Sequence, residues 1–174
     1  MIGDKKGFTL IETMVAVGLF GVVIASASGI FASSLSTQGR SLQLKRVQEE
    51  VRFISEFLQK EARQGVRNFQ NACPSIVDKE VFKLISLEEV RFQNSRGECV
   101  GYRLSGTVLE RSVNDGSTWD NLSSPDVLIT QVRFLLVGIT NPVLDYSITA
   151  ESFRKGRVSG VSLNVKSNVS PRAY

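Results

Sequence analysis

The sequence predicts an α+β protein: a long N-terminal α-helix, membrane-spanning in its first half and amphipathic in its second, packed on an antiparallel β-sheet. Three observations predict it. Residues 13–39 carry no charge, a run longer than the about 20 helical residues that cross a bilayer core. Leu44, Val47, Val51, Ile54 and Leu58 then recur at spacings of three and four, the mark of one apolar helical face. Beyond Pro74 apolar residues alternate with polar ones, the period of strands.

Composition narrows the chemistry before any motif is read. The chain has 174 residues, with 21 Lys and Arg against 17 Asp and Glu, a formal charge of +4. So mild a charge, spread along the chain, does not by itself argue for nucleic acid. Histidine is absent, which removes imidazole metal sites and Ser-His or Cys-His nucleophiles. Two cysteines allow one bridge and no Cys-rich zinc site. No paired carboxylates, phosphate-cradling loop or nucleophile elbow stands out. The expectation is a non-enzyme without cofactor, metal or small-molecule substrate.

The first helix starts with a charge pattern. Lys5 and Lys6 precede the apolar run, and after Glu12 the next charged residue is Arg40. Under the positive-inside rule the N-terminus stays cytoplasmic and the remainder is sent out. A cleaved secretory signal is a competing reading, since residues 25–28 offer small-x-small sites, but its apolar region would be only about 7–15 residues long. A plain anchor is the second competitor. Glu12 weighs against both, because an acid at the bilayer centre costs about 2.5–3.5 kcal/mol and needs a partner or a purpose.

Gly7-Phe8-Thr9-Leu10-Ile11-Glu12, behind a short basic leader and ahead of an apolar run, resembles the class III signal of type IV pilins and pseudopilins. The resemblance covers about the first 35 residues. It implies that a prepilin peptidase/N-methyltransferase cuts between Gly7 and Phe8 and methylates the new amine of Phe8. It also implies that Glu12 is the signature glutamate that sets subunit register during assembly. The residues fit those roles. Glycine leaves room for a peptidase to approach the backbone, and a freed Phe8 amine is a cation that Glu12 of a neighbour would neutralise, since an unpaired buried charge is strongly unfavourable. One departure is the missing proline midway through the apolar helix, because the first proline is Pro74. Gly18, Gly21 and Gly29 are weaker breakers, about 1 kcal/mol each. Gly21, Ala25 and Gly29 also form a small-xxx-small spacing that lets helices approach, although glycine is simply tolerated in membrane helices.

The organisation expected is a leader at 1–7, a membrane or filament-core helix at 8–39, an amphipathic continuation at 40–65 and an exported sheet domain at 66–174. Lys45 with Glu49, Arg46 with Glu50, Arg52 with Glu56 and Glu56 with Lys60 flank the apolar stripe at helical spacing. Each such pair adds only about 0.2–0.5 kcal/mol. Gly65 is the expected helix stop, and a coiled-coil dimer is disfavoured by the small number of heptads.

In the sheet region, 89–93 and 100–104 read as a hairpin across Asn94-Ser95-Arg96-Gly97. Further strands are expected at 108–113, 127–137, 144–148 and 161–165, with 127–137 central. The expectation is one sheet of four to six strands. Asn114-Asp115-Gly116-Ser117 lacks the acidic ladder of a calcium loop and reads as a turn, with Trp119 at the core or its rim. Cys73 and Cys99 are either bridged or both buried and unpaired. Export to an oxidising compartment favours the bridge, worth about 3.5 kcal/mol in the loop-entropy picture. Relatives in the pilin family often carry a disulfide near the C-terminus instead, and this spacing departs from that.

The leading expectation is thus a structural minor pilin or pseudopilin of a type IV pilus, type II secretion or DNA-uptake filament. It would sit in the inner membrane with its C-terminal domain outside, then join a periplasmic or cell-surface filament with other pilin subunits. The segment from Tyr102 to Val127 is also similar, more weakly, to minor-pilin outer domains. The alternative is an unprocessed single-pass adhesin or DNA-binding module. Loss of residues 1–7 removes Asp4, Lys5 and Lys6, a net +1, and leaves +3, enough to assist weak phosphate binding and too little to predict DNA as a partner.

Overall fold

A computed structural model of the chain describes residues 7, 9–69, 72–138, 142–154 and 157–172. Contacts divide the chain into two units, Met1–Ser41 and Leu42–Tyr174. One helix, α1 (Leu10–Arg63), supplies residues to both.

In the first unit α1 is long and apolar enough to cross a membrane. Every residue from 9 to 35 is exposed, large side chains such as Leu10, Val17, Phe20 and Phe31 included. Three of its hydroxyls are turned onto the helix itself. Thr13 donates to the Leu10 carbonyl at 2.8 Å, Ser26 to Val22 at 2.9 Å and Thr37 to Ser33 at 3.0 Å. These bonds satisfy polar groups without water, the condition a lipid-facing helix must meet.

In the second unit the later turns of α1 bury Val47, Val51, Ile54, Leu58 and Ala62 completely. Leu44, counted in the stripe by its spacing, is 37% exposed. Among the described residues nine strands follow: β1 (Gly65–Val66), β2 (Phe82–Ser86), β3 (Glu89–Asn94), β4 (Cys99–Ser105), β5 (Val108–Ser112), β6 (Asp120–Asn121), β7 (Val127–Val137), β8 (Val143–Arg154) and β9 (Arg157–Val169). They form two antiparallel sheets instead of the expected one. The first runs β1-β3-β4-β5-β6, with β2 also on β3, and the second runs β7-β8-β9.

Strand β7 is an edge, and β8 is the central strand of the second sheet. The apolar richness of β7 has another cause. Its Ile129 amide donates to the Thr107 carbonyl at 2.9 Å and its Phe134 amide to the Leu87 carbonyl at 2.7 Å. The hairpin turns of the first sheet thus end on β7, and Val127, Ile129, Val132 and Phe134 join one core with Phe92, Tyr102, Leu109 and the α1 stripe. A bulge between Ile129 and Gln131 keeps the apolar residues pointing inward. Strand β2 escaped prediction because Ile85 breaks the alternation of Phe82 and Leu84, and β1 and β6 are two residues each.

Gly65 ends the helix for a reason other than a left-handed cap. It lies in β1, where an added Cβ would stand 2.9 Å from the Ala62 carbonyl oxygen and 3.2 Å from Val81. Glycine is required there by close approach. Gly101 is constrained similarly: a Cβ would lie 3.1 Å from the Trp119 ring. That ring, half-buried at the rim, also sits 4.1 Å from the Arg103 guanidinium.

Of the four predicted helix pairs, Lys45–Glu49 at 3.7 Å and Arg52–Glu56 at 2.7 Å form. Glu50 instead accepts the Ser124 amide at 2.6 Å, and Glu56 is engaged by Arg52. The charge that ties helix to sheet is Glu61, which is 7% exposed. It accepts from Arg111 Nε at 2.9 Å, from a second Arg111 nitrogen, and from the Tyr102 hydroxyl. The forked contact neutralises a carboxylate that burial would otherwise penalise. The hydrogen bond to Glu61 raises the Arg111 pKa. Burial, followed by the Glu61 charge, pushes the Tyr102 hydroxyl well above its ordinary value.

That shift fixes a pH response. Tyr102 keeps its proton in the folded protein at pH values where the unfolded chain, with tyrosine titrating near 10, has lost it. The resulting stabilisation is complete below about pH 10 and declines as pH rises through the folded value. Denaturant midpoints measured at pH 9 and pH 11 should therefore fall more for the wild type than for Tyr102→Phe. Equal losses would show that Tyr102 does not set the alkaline limb.

Candidate assembly site at the helix start

Helix α1 begins at Leu10, which makes Thr9 its N-cap and Glu12 the third helical residue. Thr-Leu-Ile-Glu is the sequence of a capping box, and the geometry is that of one. The Glu12 amide donates to Thr9 Oγ1 at 3.3 Å, and the Thr9 amide donates to Glu12 Oε2 at 3.2 Å. The Thr9 hydroxyl donates to the same carboxylate oxygen at 3.0 Å. Two helix-start donors are satisfied reciprocally, and the carboxylate lies where the helix dipole favours an anion.

Glu12 is therefore anchored within its own chain, a role that sequence reasoning passed over although Thr9 and Glu12 stand three apart. The carboxylate remains exposed, and its second oxygen, Oε1, makes no bond to a described residue. Gly7 is exposed, with nothing within 4 Å of an added Cβ, so the backbone there is open to approach. Phe8, expected to become the methylated terminus and the partner of Glu12, lies outside the described residues, as do Lys5 and Lys6. The glycines at 18, 21 and 29 likewise have open space around them.

The remaining predicted positions lie in the second unit. Cys73 and Cys99 form a disulfide with Cα atoms 5.5 Å apart, joining the loop after β1 to the start of β4. Asn68, fully buried, holds the same loop: its side-chain amide donates to the Cys73 carbonyl at 3.1 Å and the Ile76 carbonyl at 2.7 Å, and its oxygen accepts the Cys73 amide at 3.1 Å. The 114–117 segment is a turn whose Asp115 accepts from the Ser75 amide at 3.0 Å and from its hydroxyl. Among the described residues no group of three or more His, Cys, Asp or Glu is placed to hold a metal.

Comparison with known families places the helix start. The family described as the prokaryotic N-terminal methylation motif matches residues 3–28. The chain carries a prepilin-type methylation motif. The match spans Gly7, Thr9, Glu12 and the first turns of α1, and it supports a type IV pilin-like protein processed by prepilin peptidase. The long helix packed with antiparallel sheets is an α+β layout consistent with a pilin-like fold. No curated protein and no solved structure matches the chain.

The capping geometry makes its own prediction. Replacing an N-cap threonine by alanine removes about 1 kcal/mol of helix-start stability. Thr9→Ala should accordingly speed hydrogen exchange at the Glu12 amide about fivefold in detergent micelles, while amides beyond residue 20 keep their rates. Unchanged exchange at Glu12 would dismiss the box.

Proposed function

We propose that the chain is a structural minor pilin or pseudopilin subunit of a type IV pilus, type II secretion or DNA-uptake filament. The observation that carries the reading is the motif match at residues 3–28 running directly into an apolar helix that the chain leaves uncovered. On this reading residues 1–7 are a leader, cleavage falls between Gly7 and Phe8, and Phe8 is N-methylated. Residues 8–39 wait in the inner membrane with the N-terminus cytoplasmic and later pack in the filament core. Residues 40–65 continue the helix, and 66–174 form the exported domain. The partners are prepilin peptidase/N-methyltransferase and sibling subunits, and the role is structural.

Glu12 has two jobs under this reading. Before assembly its carboxylate caps α1 through Oε2. In the filament the free oxygen receives the Phe8 amine of a neighbour, neutralising both charges away from water. Retaining one cap bond while gaining an ion pair lets the acid move from membrane to filament without being stranded.

One observation favours the second reading, an unprocessed anchored adhesin or DNA-binding module. The capping box satisfies part of Glu12 inside the chain, so a plain anchor can tolerate this acid better than composition implies.

Two measurements separate them. Intact-mass analysis of protein from cells with a working prepilin peptidase should show loss of residues 1–7 and gain of one methyl group. A full-length chain would reject the filament reading. Glu12→Gln keeps an acceptor for the cap but removes the charge, so it should spare membrane insertion and reduce incorporation into sheared filaments by tenfold or more, roughly the effect of an unpaired buried amine. Normal incorporation of Glu12→Gln would remove the pairing argument.

A further inference from the structure

The outer face of the second sheet, turned away from α1, carries a trough of about 670 Å³. Its floor is the middle strand β8, whose outward residues are short: Asp145, Ser147 and Thr149. Its walls are longer side chains on β7 and β9. The ladder sets Arg133 opposite Ser147 and Ser147 opposite Lys166, so two cations face each other across one hydroxyl. Both are exposed, and neither makes an ion pair with a described residue. In the neighbouring rows Gln131 lies across Thr149 from Asn164, and Asp145 lies beside Asn168.

We propose that this trough binds a carboxylated oligosaccharide, a chain of uronic-acid type, lengthwise between β7 and β9. Three features select that chemistry. The unpaired Arg133 and Lys166 call for an anion, and strands two apart place them across roughly 10 Å of sheet, the width of one extended chain. The floor then supplies acceptors as well as donors. Asp145 accepts only, and on the β9 wall beside it Asn164, whose Nδ2 donates to the Thr149 hydroxyl at 2.6 Å, has an oxygen that makes no bond to a described residue. A ligand rich in hydroxyl donors satisfies them. A phosphodiester backbone offers no such donors.

The lining also lacks a stacking platform. Tyr146 borders the trough, but its side chain is buried and its hydroxyl accepts from Gln59 on α1 at 2.8 Å. Single-stranded nucleic acid draws on base stacking against aromatics, which this surface does not present. A peptide would pair its backbone with a strand edge, whereas the trough floor presents side chains of a strand already bonded on both sides. The inference does not depend on the filament role.

The test is titration calorimetry of the full chain in neutral detergent at low salt, with trigalacturonate, its methyl ester and an oligothymidylate as probes. Trigalacturonate is expected to bind and its uncharged ester to fail. Arg133→Gln and Lys166→Gln should each weaken trigalacturonate about tenfold, with the melting temperature unchanged because both side chains are exposed. No binding of trigalacturonate, binding unaffected in the Arg133→Gln/Lys166→Gln double variant, or an oligothymidylate that binds more tightly than trigalacturonate would each overturn the proposal.

Discussion

Apolar side chains on every side of residues 10–35 are exposed among the described residues, and an uncovered surface of that kind does not persist in water. This constraint governs how the molecule can exist. The backbone of the helix satisfies itself, and the hydroxyls of Thr13, Ser26 and Thr37 bond to carbonyls of their own turns, so lipid is an adequate solvent for the segment. The same economy suits packing against other helices, where polar groups already paired impose no further demand. A protein built this way is complete only in a bilayer or an assembly.

The second unit answers the opposite demand. There the α1 stripe is buried beneath two sheets, and the joint is a polar one. Glu61 reaches two strands through Tyr102 and Arg111, while Glu50 holds the connection into β7 through the Ser124 amide. Apolar burial provides cohesion without direction. Glu61 fixes where along the helix the first sheet sits, and Gln59, donating to the Tyr146 and Ser167 hydroxyls, does so for the second.

Much of this was legible in the sequence. The helix spanning both units, the six longer strands β3, β4, β5, β7, β8 and β9 and the stripe of Val47, Val51, Ile54 and Leu58 followed from periodicity, because each is a local pattern repeated several times. The methylation motif was legible for the same reason, being a contiguous string. What escaped was set by partners far along the chain. Nothing near Glu61 announces Arg111, fifty positions away, and nothing in the alternation of 127–137 distinguishes a central strand from an edge covered by turns. The division into two sheets is decided by where the hairpin turns at Leu87 and Thr107 meet β7, a tertiary fact without a local signature. Thr9 and Glu12 are the exception: their pairing is local, and the Thr-x-x-Glu spacing of a capping box stands in the sequence itself.

Trp119 is the single tryptophan of the sequence, and it lies over Gly101 with the Arg103 guanidinium against its ring. Its indole fluorescence consequently belongs to the first sheet alone. The β7–β9 sheet holds Tyr146 but no tryptophan, so under excitation selective for indole, loosening of one layer ahead of the other leaves a spectroscopic trace that needs no added label.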